Sequence, residues 1–450
     1  MMFGKKESSD KKSLFFGNSI DISDGQTRIL NLFVYTVLTT TIISMIAIIL
    51  VYAHTLALAL NGIDTPLIGW LRGIFADFVE VMDFSLADSP YSNRAGSSYP
   101  PLAIAILYPF ALICKGVFAK YSGEEFADLT INELTSKVSC HPEFWIALVL
   151  FFCVCIFSIT YIASRICRFD LKNAVKITLL AAFSGPFVYA IMRGNAIYFA
   201  LIFVLLFLLL YKSKNPVLRE ISYICLAIAG CLKIYPLFFG VFLLKDKKIF
   251  ASARVAVYFG LIFFLSFKLF PGNAEGADPF LENLQGFMSD SGILMNFRNL
   301  SFTSLLYKSV YLFSPAAAET AVFDRINLIL LILLFLVATI AAVYTRSDLS
   351  RAVICSAIII LIPSVSYFYV LIFELIPFME YFKSYDSLSK RNRIIYGALF
   401  MFIFIVPIMI PQFYIPHTLI IIFMVACEVY KIITKEMIPR IKGRKQKSIA

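Results

Sequence analysis

The sequence is poor in charge, in histidine and in nucleotide-binding motifs. Only 15% of its 450 residues are Asp, Glu, Lys or Arg, whereas about a quarter are charged in a typical soluble domain. The three histidines are scattered, and the nine cysteines have neither metal-type spacing nor the pattern of a disulfide framework. The chain has no P-loop, Rossmann glycine fingerprint, zinc-protease motif or kinase signature. These absences disfavour an ATP-driven pump and a soluble nucleotide-sugar enzyme.

Long apolar runs occupy most of the chain instead. Hydrophobic residues make up 60% of it, and the mean hydropathy is +0.82. Crossing a membrane takes about 20 apolar residues in a helix but about 10 alternating residues in a barrel strand. The runs here are of the helical kind, so the sequence predicts an all-α polytopic bundle of about twelve spans. The first run, from Ile29 to Val51, is predicted to be a retained span rather than a cleaved signal.

The net charge of +11 is best explained by membrane topology. Lys and Arg favour cytoplasmic loops, and the basic clusters all fall inside if both termini are cytoplasmic. We therefore expect a cytoplasmic arm at 1–27, one transmembrane domain at 28–434 and a basic cytoplasmic tail at 435–450. The long outer loops would be 53–142 and 271–321. A bacterial-type inner membrane fits this pattern, and no nucleic-acid partner is expected.

Two segments must enter and leave the membrane on the same side for this topology to hold. The apolar stretch at 102–118 is predicted to be re-entrant, since otherwise the basic residues after 164 would lie outside. The stretch at 221–244 has basic clusters on both flanks and is predicted to turn back between Lys233 and Pro236. Spans at 175–192 and 196–211 would then place the intervening Arg193-Gly194-Asn195 outside.

The polar residues predicted outside include two candidate catalytic carboxylates. A carboxylate in a membrane-facing crevice can act as a general base towards an attacking hydroxyl. Asp77 lies in a run with helical apolar spacing, so packed neighbours would hold its side chain. Asp83 follows six residues later. The alternative for Asp83 is a solvated loop aspartate.

Several further outer residues are candidates for substrate contacts. Lys233 stands in an otherwise apolar stretch, where a cation is costly unless it meets water or an anion. Arg193 offers forked donors to a phosphate, although it is equally typical of an interfacial snorkelling arginine. Both are predicted to bind a phosphate. The predicted substrate-binding residues are Tyr91, Tyr99, Asn195, Tyr235 and Arg298, and solvation at the rim is the alternative for Arg298.

Four motifs, taken in this order and topology, resemble one enzyme family. They are Asp77-Phe78 followed by Tyr91, YPPL from Tyr99, SGPFVYAIMRGN at 184–195, and CLKIYPLFFGVFLLKDKK at 231–248. Together they resemble glycosyltransferase family 87 of the GT-C superfamily. The resemblance covers roughly residues 70–310, and SVSYFYVL at 364–371 is a further segment of the same kind.

The resemblance implies a membrane glycosyltransferase with a polyprenyl-phosphate-sugar donor. Such an enzyme would move a mannose-like hexose to a glycolipid or cell-envelope glycan on the extracytoplasmic side, with inversion. In this family the first outer loop supplies the catalytic acid, which corresponds to Asp77, with Asp83 as the second choice. Arg193 and Lys233 would stabilise the phosphate leaving group. No metal or other cofactor is expected.

Two other functions remain open from the residues. A transporter of lipid-linked oligosaccharides or solutes would place a charge near the bilayer midplane, and Glu374 is the candidate. A polysaccharide polymerase or ligase would share the lipid-phosphate chemistry.

Overall fold

The fold is all-α, as predicted. The computed structural model describes residues 23–60, 74–92, 96–122, 129–272, 277–296, 298–405 and 414–439. Within these ranges there is no β-strand, and the single β-bridge joins Asn299 to Tyr367.

The first half of the chain contains a long N-terminal helix followed by shorter ones. The helices are α1 (Asp24–Leu60), α2 (Ala76–Leu86), α3 (Pro101–Ala105), α4 (Tyr108–Lys120), α5 (Ile131–Val138), α6 (Pro142–Cys167), α7 (Leu171–Phe183), α8 (Gly185–Arg193), α9 (Ile197–Leu210), α10 (Pro216–Leu232) and α11 (Val241–Lys245). A 3₁₀-helix, Tyr235–Gly240, lies between α10 and α11.

The second half begins with a long apolar helix. The helices are α12 (Ile249–Ser266), α13 (Asp278–Ser289), α14 (Ser291–Met295), α15 (Phe302–Phe313), α16 (Pro315–Ala318), α17 (Ala321–Tyr344), α18 (Asp348–Leu361), α19 (Leu375–Ser384), α20 (Lys390–Ile405) and α21 (Tyr414–Ile432). The 3₁₀-helices Phe267–Leu269, Phe368–Glu374 and Tyr385–Ser387 and the π-helical turn Ile433–Met437 complete the set.

Five helical segments in the described residues are long and apolar enough to cross a membrane. They are Asp24–Ile46, Pro142–Cys167, Ile249–Leu269, Ala321–Tyr344 and Ile415–Met437. A sixth is obtained if α7 and α8, which meet at a bend of 57°, count as one broken span. The predicted count of about twelve is not confirmed, because several apolar runs fold into helices too short to cross a core of ~30 Å.

The core is built around α18 and the 3₁₀-helix Phe368–Glu374. Every residue from Leu349 to Leu361 is buried, although the run includes Arg351. The Arg351 guanidinium donates through Nε to the Ala342 carbonyl and pairs with Asp348, so its charge is compensated at the start of the helix. By contrast, α12 and α17 expose many large apolar side chains, as helices that face lipid do.

The segment predicted to be re-entrant is divided into two short helices. Pro100 and Pro101 stand at the start of α3, where proline's fixed φ suits the first turn of a helix. The chain then bends at Ile106-Leu107, and α4 begins at Tyr108. Neither helix is among the candidate spans, and the re-entrant course of 102–118 stays a prediction.

The stretch 221–244 breaks where the sequence predicted a turn. Helix α10 ends at Leu232, and Lys233 is extended, with φ −151° and ψ 127°. A Cβ atom added to Gly230 would lie 2.5 Å from Cγ of Leu237. Residues seven apart in one helix are about 10 Å apart along its axis. The contact therefore shows that the chain folds back on α10.

The predicted domain boundaries are only partly covered by the described residues. The arm at 1–27 and the tail at 435–450 lie mostly outside them, and α1 already begins at Asp24. The division into arm, membrane domain and tail stays a prediction, and so does its orientation.

The turn at Lys233 makes a labelling prediction. In a background with the exposed Cys140 and Cys427 replaced by serine, Ile234→Cys is expected to react with an impermeant thiol reagent on intact cells. The Ile234 side chain is 50% exposed, so the thiol would be accessible. The matched control is Ser387→Cys, also exposed and in a predicted inner loop, which should react only after permeabilisation. The reverse pattern would overturn the predicted topology.

Candidate active site

Asp77 is held by two residues that lie more than a hundred positions further along the chain. It lies in the first turn of α2, and its side chain is only 7% exposed. Its Oδ1 accepts a hydrogen bond from Nη2 of Arg193, with which it forms an ion pair. Its Oδ2 accepts from Nδ2 of Asn195 at 2.9 Å. Both carboxylate oxygens are therefore engaged, and the carboxylate has one fixed orientation.

Glycine at position 194 makes this arrangement possible. Arg193 ends α8, and Gly194 then takes φ +64°, a left-handed conformation that glycine adopts without strain. A Cβ atom there would lie 2.2 Å from Cβ of Phe78, so any other residue would push α2 away. Asn195 follows, and its Oδ1 accepts from the backbone N–H of Ile197 at 3.0 Å, at the start of α9.

A backbone hydrogen bond also fixes the start of α2 to the end of α8. The N–H of Phe75 donates to the carbonyl of Met192 at 2.6 Å. Phe75 itself has a left-handed φ of 68°, and its ring packs against Phe144 and Trp145. A non-glycine residue with positive φ is strained, so tertiary contacts must maintain it. Helix α2 is thus docked onto the break between α8 and α9.

Lys233 lies within electrostatic range of Asp77. Its ammonium nitrogen is 4.7 Å from the centroid of the Tyr99 ring, a cation–π distance. The negative charge of Asp77 acts on Lys233 and also on Tyr99. The extended backbone at Lys233 and the proline turn after Tyr99 therefore bring a cation and a phenol to the Asp77 carboxylate.

Arg298 joins the site through Tyr189. The Arg298 side chain hydrogen-bonds the Tyr189 phenol, which also lies within electrostatic range of Arg193 and Asp77. The Tyr189 ring stacks on that of Tyr369, with centroids 6.2 Å apart and planes inclined by 17°. Tyrosines of α8 and of the 364–371 segment therefore line the side of the site that faces Arg298.

The loop that carries Arg298 is attached to that tyrosine segment. Asn299 pairs with Tyr367, and the N–H of Leu300 donates to the Ser366 carbonyl at 2.7 Å. The Asn299 side chain also donates to the Ser364 carbonyl at 2.9 Å. This explains how SVSYFYVL reaches the site.

The remaining predicted residues make other contacts. Tyr91 is buried, and its hydroxyl donates to the Tyr99 carbonyl at 3.0 Å, so it supports the turn before α3. Tyr235 packs edge-on against Phe373, with centroids 6.3 Å apart. Asp83 is half-buried two turns along α2 from Asp77.

Sequence reasoning missed Glu80, which lies one turn after Asp77. Residues three apart on a helix share a face, and the Glu80 side chain is half-buried beside Asp77. Burial, helped by the negative charges of Asp77 and Asp83 and opposed by Arg193, raises the pKa of Glu80 to about 7. The helical spacing of the FADFVEVM run was the available signal.

The site is cationic apart from α2. Arg193 pairs with Asp77, Lys233 lies over Tyr99 and Arg298 contacts Tyr189, and such cations suit a phosphate or another anion. Within the ranges that the structure describes, no group of three or more His, Cys, Asp or Glu residues could hold a metal ion.

Comparison with known proteins gives one family. The model of glycosyltransferase family 87 matches residues 98–366, more than half of the 450-residue chain. The match starts later and ends later than the resemblance noted above, so it includes Arg193, Lys233 and Arg298 but not Asp77. No match to a curated protein was found.

The docking of α2 predicts that Gly194→Ala destabilises the protein. A non-glycine residue in the left-handed region costs about 1–3 kcal/mol, and the added Cβ would overlap Phe78. We expect a lower unfolding temperature in detergent and lost turnover. Gly116→Ala is the control, because a Cβ there meets nothing within 4 Å, and alanine in a helix should be neutral or stabilising. Equal stability of the two variants would contradict the docking.

Proposed function

Because the chain belongs to glycosyltransferase family 87, we propose that it transfers a mannose-like hexose from a polyprenyl-phosphate-sugar to a glycolipid or cell-envelope glycan. The protein is an integral membrane glycosyltransferase. The proposed site of transfer is the extracytoplasmic face of a bacterial-type inner membrane. The observation that carries the proposal is the Asp77 carboxylate, which Arg193 and Asn195 fix within electrostatic range of the Lys233 ammonium.

Asp77 is the general base in this proposal. A base must be positioned before it can take a proton efficiently, and two donors fix this carboxylate. Each carboxylate oxygen accepts more than one hydrogen bond, so an acceptor hydroxyl can still approach. We assign Asp83 a lesser role, because Asp77 is the carboxylate that is seen fixed between Arg193 and Asn195.

Lys233 and Arg193 have different roles in this proposal. The sequence assigned both to the phosphate. Arg193 pairs with Asp77, so its main role is to orient the base. Lys233 makes no ion pair within the described part of the chain, and it lies on the Tyr99 ring. A compact ammonium there suits the charge that develops on the leaving phosphate.

The proposed reaction balances without a further reagent. The acceptor oxygen forms a bond to the anomeric carbon from the face opposite the phosphate, and its proton passes to Asp77. The bond from the anomeric carbon to the phosphate oxygen breaks, and its electron pair leaves on the lipid phosphate, next to Lys233. The attack inverts the anomeric centre.

The transporter alternative rested on Glu374, whose surroundings do not favour it. Glu374 is 1% exposed, and its Oε1 accepts from the Ser356 hydroxyl at 2.8 Å. It lies in the packed core between α18 and the 3₁₀-helix that it ends. The family match also supports transfer rather than transport.

The first test of the proposal is Asp77→Asn. The amide keeps the size and can still accept a hydrogen bond but loses basicity, so we expect turnover to fall by ~10²–10⁴ with donor binding retained. The measurement is release of labelled sugar from polyprenyl-phosphate donors by purified protein. Asp83→Asn should lose much less. A fully active Asp77→Asn variant would overturn the proposal, and the opposite ranking would move the base to Asp83.

The second test is Lys233→Gln. An interaction with a charged group is worth about 1.5–3 kcal/mol, so the donor KM should rise or the rate should fall by roughly 10- to 100-fold. Lys268→Gln is the matched control, since Lys268 is exposed and lies in a 3₁₀ turn outside the site. Wild-type kinetics for Lys233→Gln would remove Lys233 from the phosphate site.

A further inference from the structure

Protonation of the Asp77 carboxylate would weaken its ion pair with Arg193. Its Oδ1 faces an N–H of Arg193 and its Oδ2 faces an N–H of Asn195. A proton that Asp77 takes from a substrate neutralises the carboxylate, so both hydrogen bonds lose the assistance of its negative charge and Arg193 loses its counter-charge. The pair is restored when the proton moves to another group.

Glu80 is the nearest group of the right chemistry on α2. It lies on the next turn of the same face, where side chains three apart have Cβ atoms about 5–6 Å from each other. Its carboxylate accepts no hydrogen bond and forms no ion pair within the described residues, in contrast to Asp77. It is half-buried, whereas Asp77 is buried, so Glu80 is the more solvent-accessible of the two carboxylates.

We propose that Glu80 receives the proton that Asp77 takes from the acceptor hydroxyl, directly or through one water, and returns it to solvent. The inference rests on the proposed function. The O–H bond of the acceptor breaks, Asp77 holds the proton transiently, and the Glu80 carboxylate becomes a carboxylic acid. Loss of that proton to water restores both carboxylates for the next turnover. Glu80 thus contacts no substrate and acts through Asp77, from which it takes the proton.

The charges around Glu80 make it suited to this role near neutral pH. Asp77 and Asp83 act on it from its own helix, and Arg193 acts on it from α8. Tyr99, on the segment before α3, also lies within its electrostatic range. Burial and the two aspartates together place the pKa of Glu80 at about 7, close to the value at which a group both accepts and releases protons readily.

The proposal predicts the pH dependence of transfer. Glu80 must be ionised to accept a proton, and its raised pKa means that it becomes protonated as pH falls through about 7. The rate of the wild-type protein should therefore decline on the acid side of about 7. Glu80→Gln mimics the protonated form at every pH. Its rate should therefore no longer fall between pH 8 and lower pH through this group, and its kcat at pH 8 should be about 10- to 100-fold lower, with donor KM unchanged. Glu80→Asp keeps a carboxylate, so it should recover part of the rate and again lose activity as pH falls.

A second variant keeps the test decisive if Glu80→Gln does not fold. Asp83→Asn removes a negative charge that raises the pKa of Glu80, so it should move the acid limb to lower pH. The role of Glu80 is overturned if the acid-side decline of the rate in Asp83→Asn occurs at the same pH as in the wild-type protein. It is also overturned if Glu80→Gln has the rate and the pH dependence of the wild-type protein. If Asp77→Asn is inactive in the same assays, only this inference fails. If Asp77→Asn is fully active, the proposed function fails as well.

Discussion

The contact of Asp77 with Arg193 and Asn195 is the constraint on which the candidate site depends. A buried carboxylate is tolerated only when it is paired and hydrogen-bonded, and here both partners come from the break between α8 and α9. The same contact fixes the start of α2, because the Phe75 N–H is bonded to Met192 and Gly194 is pressed against Phe78. The polar residues that do the proposed chemistry therefore also hold two parts of the scaffold together, and a variant that weakens one role weakens the other.

Breaks in apolar helices supply the rest of the site. Lys233 follows the end of α10, Arg193 ends the bent α7–α8 pair, and the YPPL turn starts α3. Non-helical backbone within a membrane protein is tolerated where it is buried in protein or lines a polar cavity. Each break also directs a polar side chain inwards. This explains why residues from distant parts of the chain, all in otherwise apolar segments, meet around one carboxylate.

The sequence was sufficient for the class of fold and for the turn at Lys233, because composition and charge report burial and breaks directly. It also named Asp77, Arg193 and Asn195 as candidate site residues, and the structure brings these three into contact. It was insufficient for the number of spans, since apolar runs that cross a membrane and short buried helices share the same composition. Arg193 was assigned to a phosphate because a sequence cannot show which partner reaches a cation. Glu80 was missed for a similar reason. Its proposed role depends on the contacts that Asp77 makes with Arg193 and Asn195, and a sequence does not show those contacts.

The distance along the chain between the two halves of the Asp77 contact has a consequence for biosynthesis. Asp77 is separated from Arg193 by 116 residues and from Asn195 by 118. At a translation rate of ~5–20 residues per second, roughly 6 to 24 s pass between the synthesis of the aspartate and that of its partners. During that interval the carboxylate lacks both of these partners. The Asp77 contact can therefore form only after α8 and the start of α9 have been synthesised.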